Sequence, residues 1–305
     1  MIRRPAPWLA LVLLACLGPT ASDPESAGPD FQVQGEYASP GLGAQVVARG
    51  RGRFDAVFLP GGLPGSGWNG TERTVVEGSV GDDVASFDGA YSGEIRAGRF
   101  EGRAPDGSAF SLERVERRSP TLGQEPPPGA IRLDARELSG EWDDRGRLAV
   151  PAVTARSFGD FRLHLEFRTP FMPQAGGQLR GNSGVYLQNR YEIQVLDSFG
   201  EPAAENGCGA IYSQRAPVLN ASFPPLSWQT YDIEFQAARF DAKGARTAPA
   251  RVSVRHNGVR IHDAVEIDGP TGRGEAETPE PGPILLQDHW NPVVYRNLWI
   301  APQPE

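Results

Sequence analysis

The stretch Asn182-Ser183-Gly184-Val185-Tyr186-Leu187, followed after residues 188–190 by Tyr191-Glu192-Ile193-Gln194-Val195-Leu196-Asp197, decides how this chain is read. Both halves are dense in β-branched, aromatic and aliphatic residues, the composition of strands. The short polar break of Gln188, Asn189 and Arg190 makes them a hairpin. The second strand carries Glu192, Gln194 and Asp197, all able to hydrogen-bond a sugar. A carboxylate set among apolar strand residues faces water or a ligand, because burying it unpaired is costly. The hairpin is where chemistry is expected.

Outward from the hairpin the strand pattern continues. Leu148 to Val150, Phe161 to Arg168, Thr230 to Ala237, Arg251 to His256, Val259 to Glu266, Ile284 to Asp288 and Val293 to Ile300 read as further strands. Asn257-Gly258 is a hairpin turn, since both residues accept the positive φ that such turns need. Many antiparallel strands at this spacing predict an all-β, two-sheet jelly-roll sandwich over residues 131–302, with a concave face suited to carbohydrate. Upstream, residues 31–117 hold thin, glycine-laced strands from Gly35 to Val115, with Asp106-Gly107 as a turn. They predict a small β-rich domain, a meander or partial barrel. Residues 118–130, with Pro126-Pro127-Pro128, read as a linker. The loop Pro60-Gly61-Gly62-Leu63-Pro64-Gly65 reads as a turn. It lacks the following helix, lysine and Gly-x-Gly-x-x-Gly spacing of a nucleotide site.

The chain has 305 residues, 39% of them hydrophobic, a normal content for a folded protein. Its net charge of -8 argues against general nucleic-acid binding, which needs basic surface to release counterions. At the N-terminus Arg3 and Arg4 precede Trp8 to Leu14, an apolar run too short to span a bilayer. It ends in Leu13-Leu14-Ala15-Cys16, which looks like a bacterial lipobox. Residues 1–16 are then a lipoprotein-type signal peptide, Cys16 is lipidated, and residues 17–30 form a flexible tether. The protein would be exported and held at the cell envelope, in the periplasm or on the surface, by a lipid anchor. An ordinary signal peptide cut near Thr20 to Ser22 is the alternative. With Cys16 lipidated or removed, Cys208 has no disulfide partner, and a cysteine metal site is excluded.

Residues 131–302 resemble the 3-keto-disaccharide hydrolase domain family, a concanavalin-like lectin/glucanase sandwich. The resemblance is carried by the opening hairpin and by Gly209-Ala210-Ile211-Tyr212. Trp228-Gln229-Thr230-Tyr231-Asp232-Ile233 and the run from Leu286-Gln287-Asp288-His289-Trp290-Asn291 to Ile300 extend it. The first β unit resembles an N-terminal extension of planctomycete-type members. One departure is Trp290, where the family often has glycine. The resemblance implies cleavage of a glycoside already oxidised to a ketone at C3. A base removes the acidified C2 hydrogen, an enolate forms, the C1–oxygen bond eliminates, and water can then add. A sugar 3-dehydrogenase acting upstream would supply such a substrate.

That chemistry needs a base, an enolate stabiliser and an acid for the leaving group. Glu192, Asp197 and His289 are the catalytic candidates. His289 or Glu192 would be the base, and Tyr186 or Asp197 would protonate the leaving oxygen. Arg215 would stabilise the enolate. Asn182, Tyr186, Gln194, Tyr212, Arg215 and Trp290 are the substrate-binding candidates. A divalent metal on His289 and Asp288 could replace the arginine, although no His-x-x-x-His spacing supports it. His164 is expected to face solvent or the groove without a catalytic role. His256, at a hairpin turn, and His262, near the surface, are expected to be structural. Two other readings use the same residues. Glu192-x-Gln194-x-x-Asp197 is a degraded form of the Glu-x-Asp-x-x-Glu motif of laminarinase-type retaining glycosidases, in which a bulge brings both end carboxylates to one face. A non-catalytic carbohydrate-binding lipoprotein is the third.

Overall fold

The computed structural model describes residues 18–304; Trp8 to Leu14 and Cys16 lie outside them. Alternation of small or aromatic inward residues with polar outward ones drives the first unit to close on itself. Its strands are β1 (Gly35–Ser39), β2 (Gly41–Gly50), β3 (Arg53–Gly61) and β4 (Thr74–Gly81). They continue with β5 (Val84–Phe87), β6 (Ser92–Arg96), β7 (Arg99–Arg103) and β8 (Ala109–Val115). Each pairs antiparallel with the next, and β1 pairs with β8 through Glu36↔Val115, so the expected meander or partial barrel is a closed barrel. Closure leaves no unpaired sheet edge. The interior is filled by side chains: Phe58 stacks on Tyr91 with ring centroids 4.0 Å apart, and Phe100 and Phe110 pack around them.

The second unit is the two-sheet sandwich that the sequence predicts. Its strands begin with β9 (Ile131–Arg132), β10 (Leu148–Ala149), β11 (Ala152–Val153) and β12 (Phe161–Arg168). Next come β13 (Ser183–Leu187), β14 (Tyr191–Val195), β15 (Gln229–Gln236), β16 (Arg239–Phe240) and β17 (Arg246–Ala248). The last are β18 (Arg251–His256), β19 (Val259–Glu266), β20 (Leu285–Leu286) and β21 (Val294–Pro302). The larger sheet runs β10-β21-β12-β15-β18-β19, with β9 also on β21. The smaller runs β11-β20-β13-β14, and β16 and β17 form a separate ribbon. Leu163, Leu165, Phe167, Tyr231, Ile233 and Val254 of the larger sheet bury against Val185, Leu187, Ile193, Val195 and Leu286 of the smaller. The β18–β19 turn has Asn257 and Gly258 at φ 51° and 80°, as their side chains permit.

The linker, residues 118–130, lies along the outer face of the larger sheet. Thr121 Oγ1 donates to Asp232 Oδ2 at 2.7 Å, Gly123 N–H to Glu166 Oε1 at 2.6 Å, and Trp299 Nε1–H to Gln124 O at 3.1 Å. This cover buries His164, which was expected to face solvent or the groove. Its parity, opposite to Leu163 and Leu165, is as read, but its ring is stacked on Trp299 and bonded to Asp232 Oδ1 at 2.7 Å. Burial opposes charge on His164; its hydrogen bonds to the Asp232 and Glu166 carboxylates outweigh it and raise the pKa. His262 is likewise buried rather than near the surface, its Nε2 2.8 Å from Gly209 O.

The stretch expected to be a flexible tether is also docked. Ala21 exchanges two backbone hydrogen bonds with Phe171, and Asp23 pairs with Arg147 and Arg168 at 2.9 and 2.8 Å. A short helix, Pro29–Val33, leads into the barrel. The barrel meets the sandwich through Val47 and Val57, which point out of it onto Gly200. Arg49 pairs with Glu201 at 2.9 Å and Arg73 donates to Gly200 O at 2.7 Å.

Candidate active site

The hairpin register builds the site. Tyr186 pairs with Glu192 and Gly184 with Gln194, so residues 182, 184, 186, 192 and 194 share the face turned away from the core. The odd-numbered residues of both strands fill the core. Over the even face lies a cleft of about 130 Å³, completed by Gln178, Tyr212, Gly272, Arg273, Gln287 and His289.

Glu192 sits at the bottom, 2% exposed, with Oε2 accepting the Tyr186 hydroxyl at 2.8 Å. Burial pushes its pKa up to about 7, against the pull of the Tyr186 hydrogen bond and the positive charge of Arg273. Burial and the adjacent carboxylate push the Tyr186 phenol far upward, which keeps it a neutral donor. Two glycines make room for the carboxylate. A Cβ on Gly184 would run into Glu192 Oε1, and one on Gly272 would come within 3.2 Å of both Glu192 Oε2 and the Tyr186 hydroxyl. Thr271 anchors the covering loop, its Oγ1 accepting Glu192 N–H at 2.6 Å.

One wall is made of amides. Asn182 Nδ2 donates to Gln178 O at 2.8 Å, and Gln194 Nε2 donates to Gln178 Oε1 at 3.0 Å. The donors are thus used, while Asn182 Oδ1, Gln194 Oε1 and Gln287 Oε1 are buried without a hydrogen-bond partner. Buried acceptors are rarely left unpaired. Three around one cleft fit a ligand rich in hydroxyl donors.

His289 is half-buried at the rim, its ring 5.1 Å from that of Trp290, which is 76% exposed. Tyr212 also lines the cleft. Asp197 does not. It lies two residues beyond β14, with the opposite parity to Glu192, and the register up to Val195 holds no bulge. Its buried carboxylate accepts Arg180 Nε–H at 2.7 Å. Burial raises its pKa against the opposing charge of Arg180. The carboxylate pair of a retaining glycosidase is therefore not formed. Arg215 is exposed outside the cleft, and the guanidinium residue lining it is Arg273. Asp288 is exposed and accepts Trp290 N–H at 2.8 Å. Among the described residues no group of three or more His, Cys, Asp or Glu side chains is arranged to hold a metal ion. His289 and Asp288 do not make up a donor set for a divalent cation.

Sequence reasoning missed Gln178, Gly272, Arg273 and Gln287 as lining residues. Gln287 had a signal, standing beside Asp288 and His289 after a strand. Gly272 and Arg273 lie in a glycine- and proline-rich stretch with no periodic pattern.

Sandwich and cleft together define a protein of the concanavalin-like lectin/glucanase class. The chain belongs to the 3-keto-alpha-glucoside-1,2-lyase-like domain family, whose profile matches residues 144–301. A candidate glycosyl hydrolase of Parabacteroides distasonis ATCC 8503 is 34% identical, with a TM-score of 0.54 over 58% of this chain and 85% of its own. Two other candidate glycosyl hydrolases of that organism align at 17% and 21% identity, with TM-scores of 0.42 and 0.40. They cover 58% and 57% of this chain and 94% and 99% of their own. No curated protein matches the chain.

Proposed function

We propose that this protein cleaves 3-keto-glycosides by elimination. The observation that carries the reading is Glu192, a buried carboxyl group with a pKa of about 7, beneath three unpaired amide oxygens. Family membership and the 34% identical candidate glycosyl hydrolase support a glycoside as the substrate. The lone carboxylate favours elimination over ordinary glycoside hydrolysis, which generally uses two flanking carboxyl groups. In this reading Glu192 takes the C2 proton. The C2–H electron pair moves into the C2–C3 bond, and the ketone oxygen becomes an enolate oxygen, stabilised by Arg273. The ketone then re-forms as the C1–O bond breaks, leaving a C1–C2 double bond. The departing oxygen takes a proton from His289. Water adding across the double bond gives the free keto-sugar. Tyr186 orients the Glu192 carboxylate, and the amide oxygens of Asn182, Gln194 and Gln287 accept sugar hydroxyls. An oxidoreductase acting at C3 supplies the substrate, and the N-terminal export signal puts the reaction in the cell envelope.

The test offers the purified protein a plain glucoside and its 3-keto form. Cleavage of the keto form alone, slowed by deuterium at C2, is the expected result. Glu192→Gln should lower turnover by about 10²- to 10⁴-fold, the usual loss for a general base. Cleavage of the plain glucoside would overturn the reading. Binding without turnover of either would make the cleft a carbohydrate-binding site.

A further inference from the structure

Trp290 combines two unusual properties. It is 76% exposed, and the other exposed large hydrophobic residues among those described are all aliphatic. Its backbone has φ 58°, in the left-handed region that a residue with a Cβ enters only at a steric cost. The strained conformation is enforced from both sides. Asp288 Oδ1 accepts Trp290 N–H at 2.8 Å, and Asn291 Oδ1 accepts the backbone N–H of Asn182, a cleft residue, at 2.8 Å. The ring is thus held in water, against the edge of His289, by a segment fixed to the cleft wall. Strain retained beside a site is a reason to look for a role.

The geometry points to Trp290 as the stacking platform of a leaving-group subsite, taking an aglycone with a flat apolar face. The inference rests on the reading in which Glu192 takes the C2 proton and His289 protonates the leaving oxygen. Glu192 lies at the bottom of the cleft and His289 at the rim, so the glycone enters and the aglycone points outward over His289. The cleft is small, about 130 Å³, and a second ring has to lie outside it. Beside His289 at the rim stands the exposed Trp290 indole, with ring centroids 5.1 Å apart. An aryl ring or the C–H face of a second sugar would stack on it.

The experiment compares the full-length protein with Trp290→Gly and Trp290→Phe on methyl, phenyl and glucosyl 3-keto-glucosides. Glycine accepts φ 58° without strain, so the variant should fold, and melting curves verify this. The expected result is that Trp290→Gly lowers kcat/KM for the phenyl or glucosyl substrate about tenfold more than for the methyl one. Trp290→Phe should keep most of the difference. A split confined to the phenyl substrate assigns an aryl aglycone, and one confined to the glucosyl substrate a sugar. Equal losses on all three substrates would overturn the subsite. If the wild type cleaves none of them, the catalytic reading fails separately. Calorimetric binding of plain methyl and phenyl glucosides then reads the subsite, which requires a phenyl preference that Trp290→Gly abolishes.

Discussion

Glu192 holds its proton to higher pH than an exposed carboxyl group, with a folded value of about 7 against an ordinary 4.5. For a base this gives a limb of kcat/KM that rises with pH, with its midpoint near 7, and Glu192→Gln should lose that limb. The same shift acts on stability. A raised carboxyl pKa means the folded state binds the proton more tightly, so its contribution is intact below about 4.5 and lost as pH rises through 7. Glu192→Gln should therefore melt above the wild type at pH 8, by on the order of 2–3 kcal/mol of stability, with the gap closing toward pH 4. A gap independent of pH would refute the assignment. Asp197 behaves differently. Asp197→Asn leaves Arg180 buried without its counter-charge and should cost about 3–5 kcal/mol in denaturant unfolding while keeping the midpoint of the pH–rate curve. The sequence could not separate the two carboxylates. Both belong to one apolar run in the sequence; Asp197 stands two residues past the end of β14, opposite in parity to Glu192, and its partner Arg180 lies 17 residues upstream, across the β13–β14 hairpin.

At the scale of elements, the β13–β14 hairpin works because its two faces have opposite chemistry and Gly184 leaves space on one of them. Gly184 adopts an ordinary negative-φ strand conformation, so alanine fits the backbone, but its Cβ displaces the Glu192 carboxylate. Gly184→Ala should keep its melting temperature near wild type and lose about 10- to 100-fold in kcat, the scale of a roughly 1 Å misplacement. Unchanged kcat would mean the carboxylate position is uncritical. Period-2 alternation made the hairpin, and with it Glu192 and Gln194, legible. It could not expose the loop from Thr271 to Arg273. That loop is fixed by bonds from distant groups, with Arg190 Nη2 donating to Thr278 Oγ1 at 2.7 Å and Thr271 N–H to Arg190 O at 2.9 Å. The docking of the linker is hidden for the same reason. Ser, Thr and Pro signal a loop, and nothing local to them shows that Asp232 and Glu166 present acceptors where Thr121 and Gly123 pass.

For the whole molecule, one contact between barrel and sandwich is made at Gly200, at φ 75°, with Val47 and Val57 of the barrel against it. Calorimetry should show one unfolding transition. Gly200→Ala, which adds backbone strain and a clash with Val47, should lower that transition or split it in two; an unchanged single transition would show that the two units do not depend on this contact. The strands of the barrel were readable one by one, but its closure was not, because Glu36 and Val115 are brought together only by folding. That closure also makes the barrel a cassette. Its first and last strands are neighbours, so its two ends lie about one strand spacing apart, roughly 5 Å. The docked segment before it and the strap after it both belong to the sandwich surface, at Phe171 and at Asp232. The barrel is thus inserted between two parts of its host. It could be excised and bridged by a short turn without unthreading anything else, and the same geometry would let a different closed domain be received in its place.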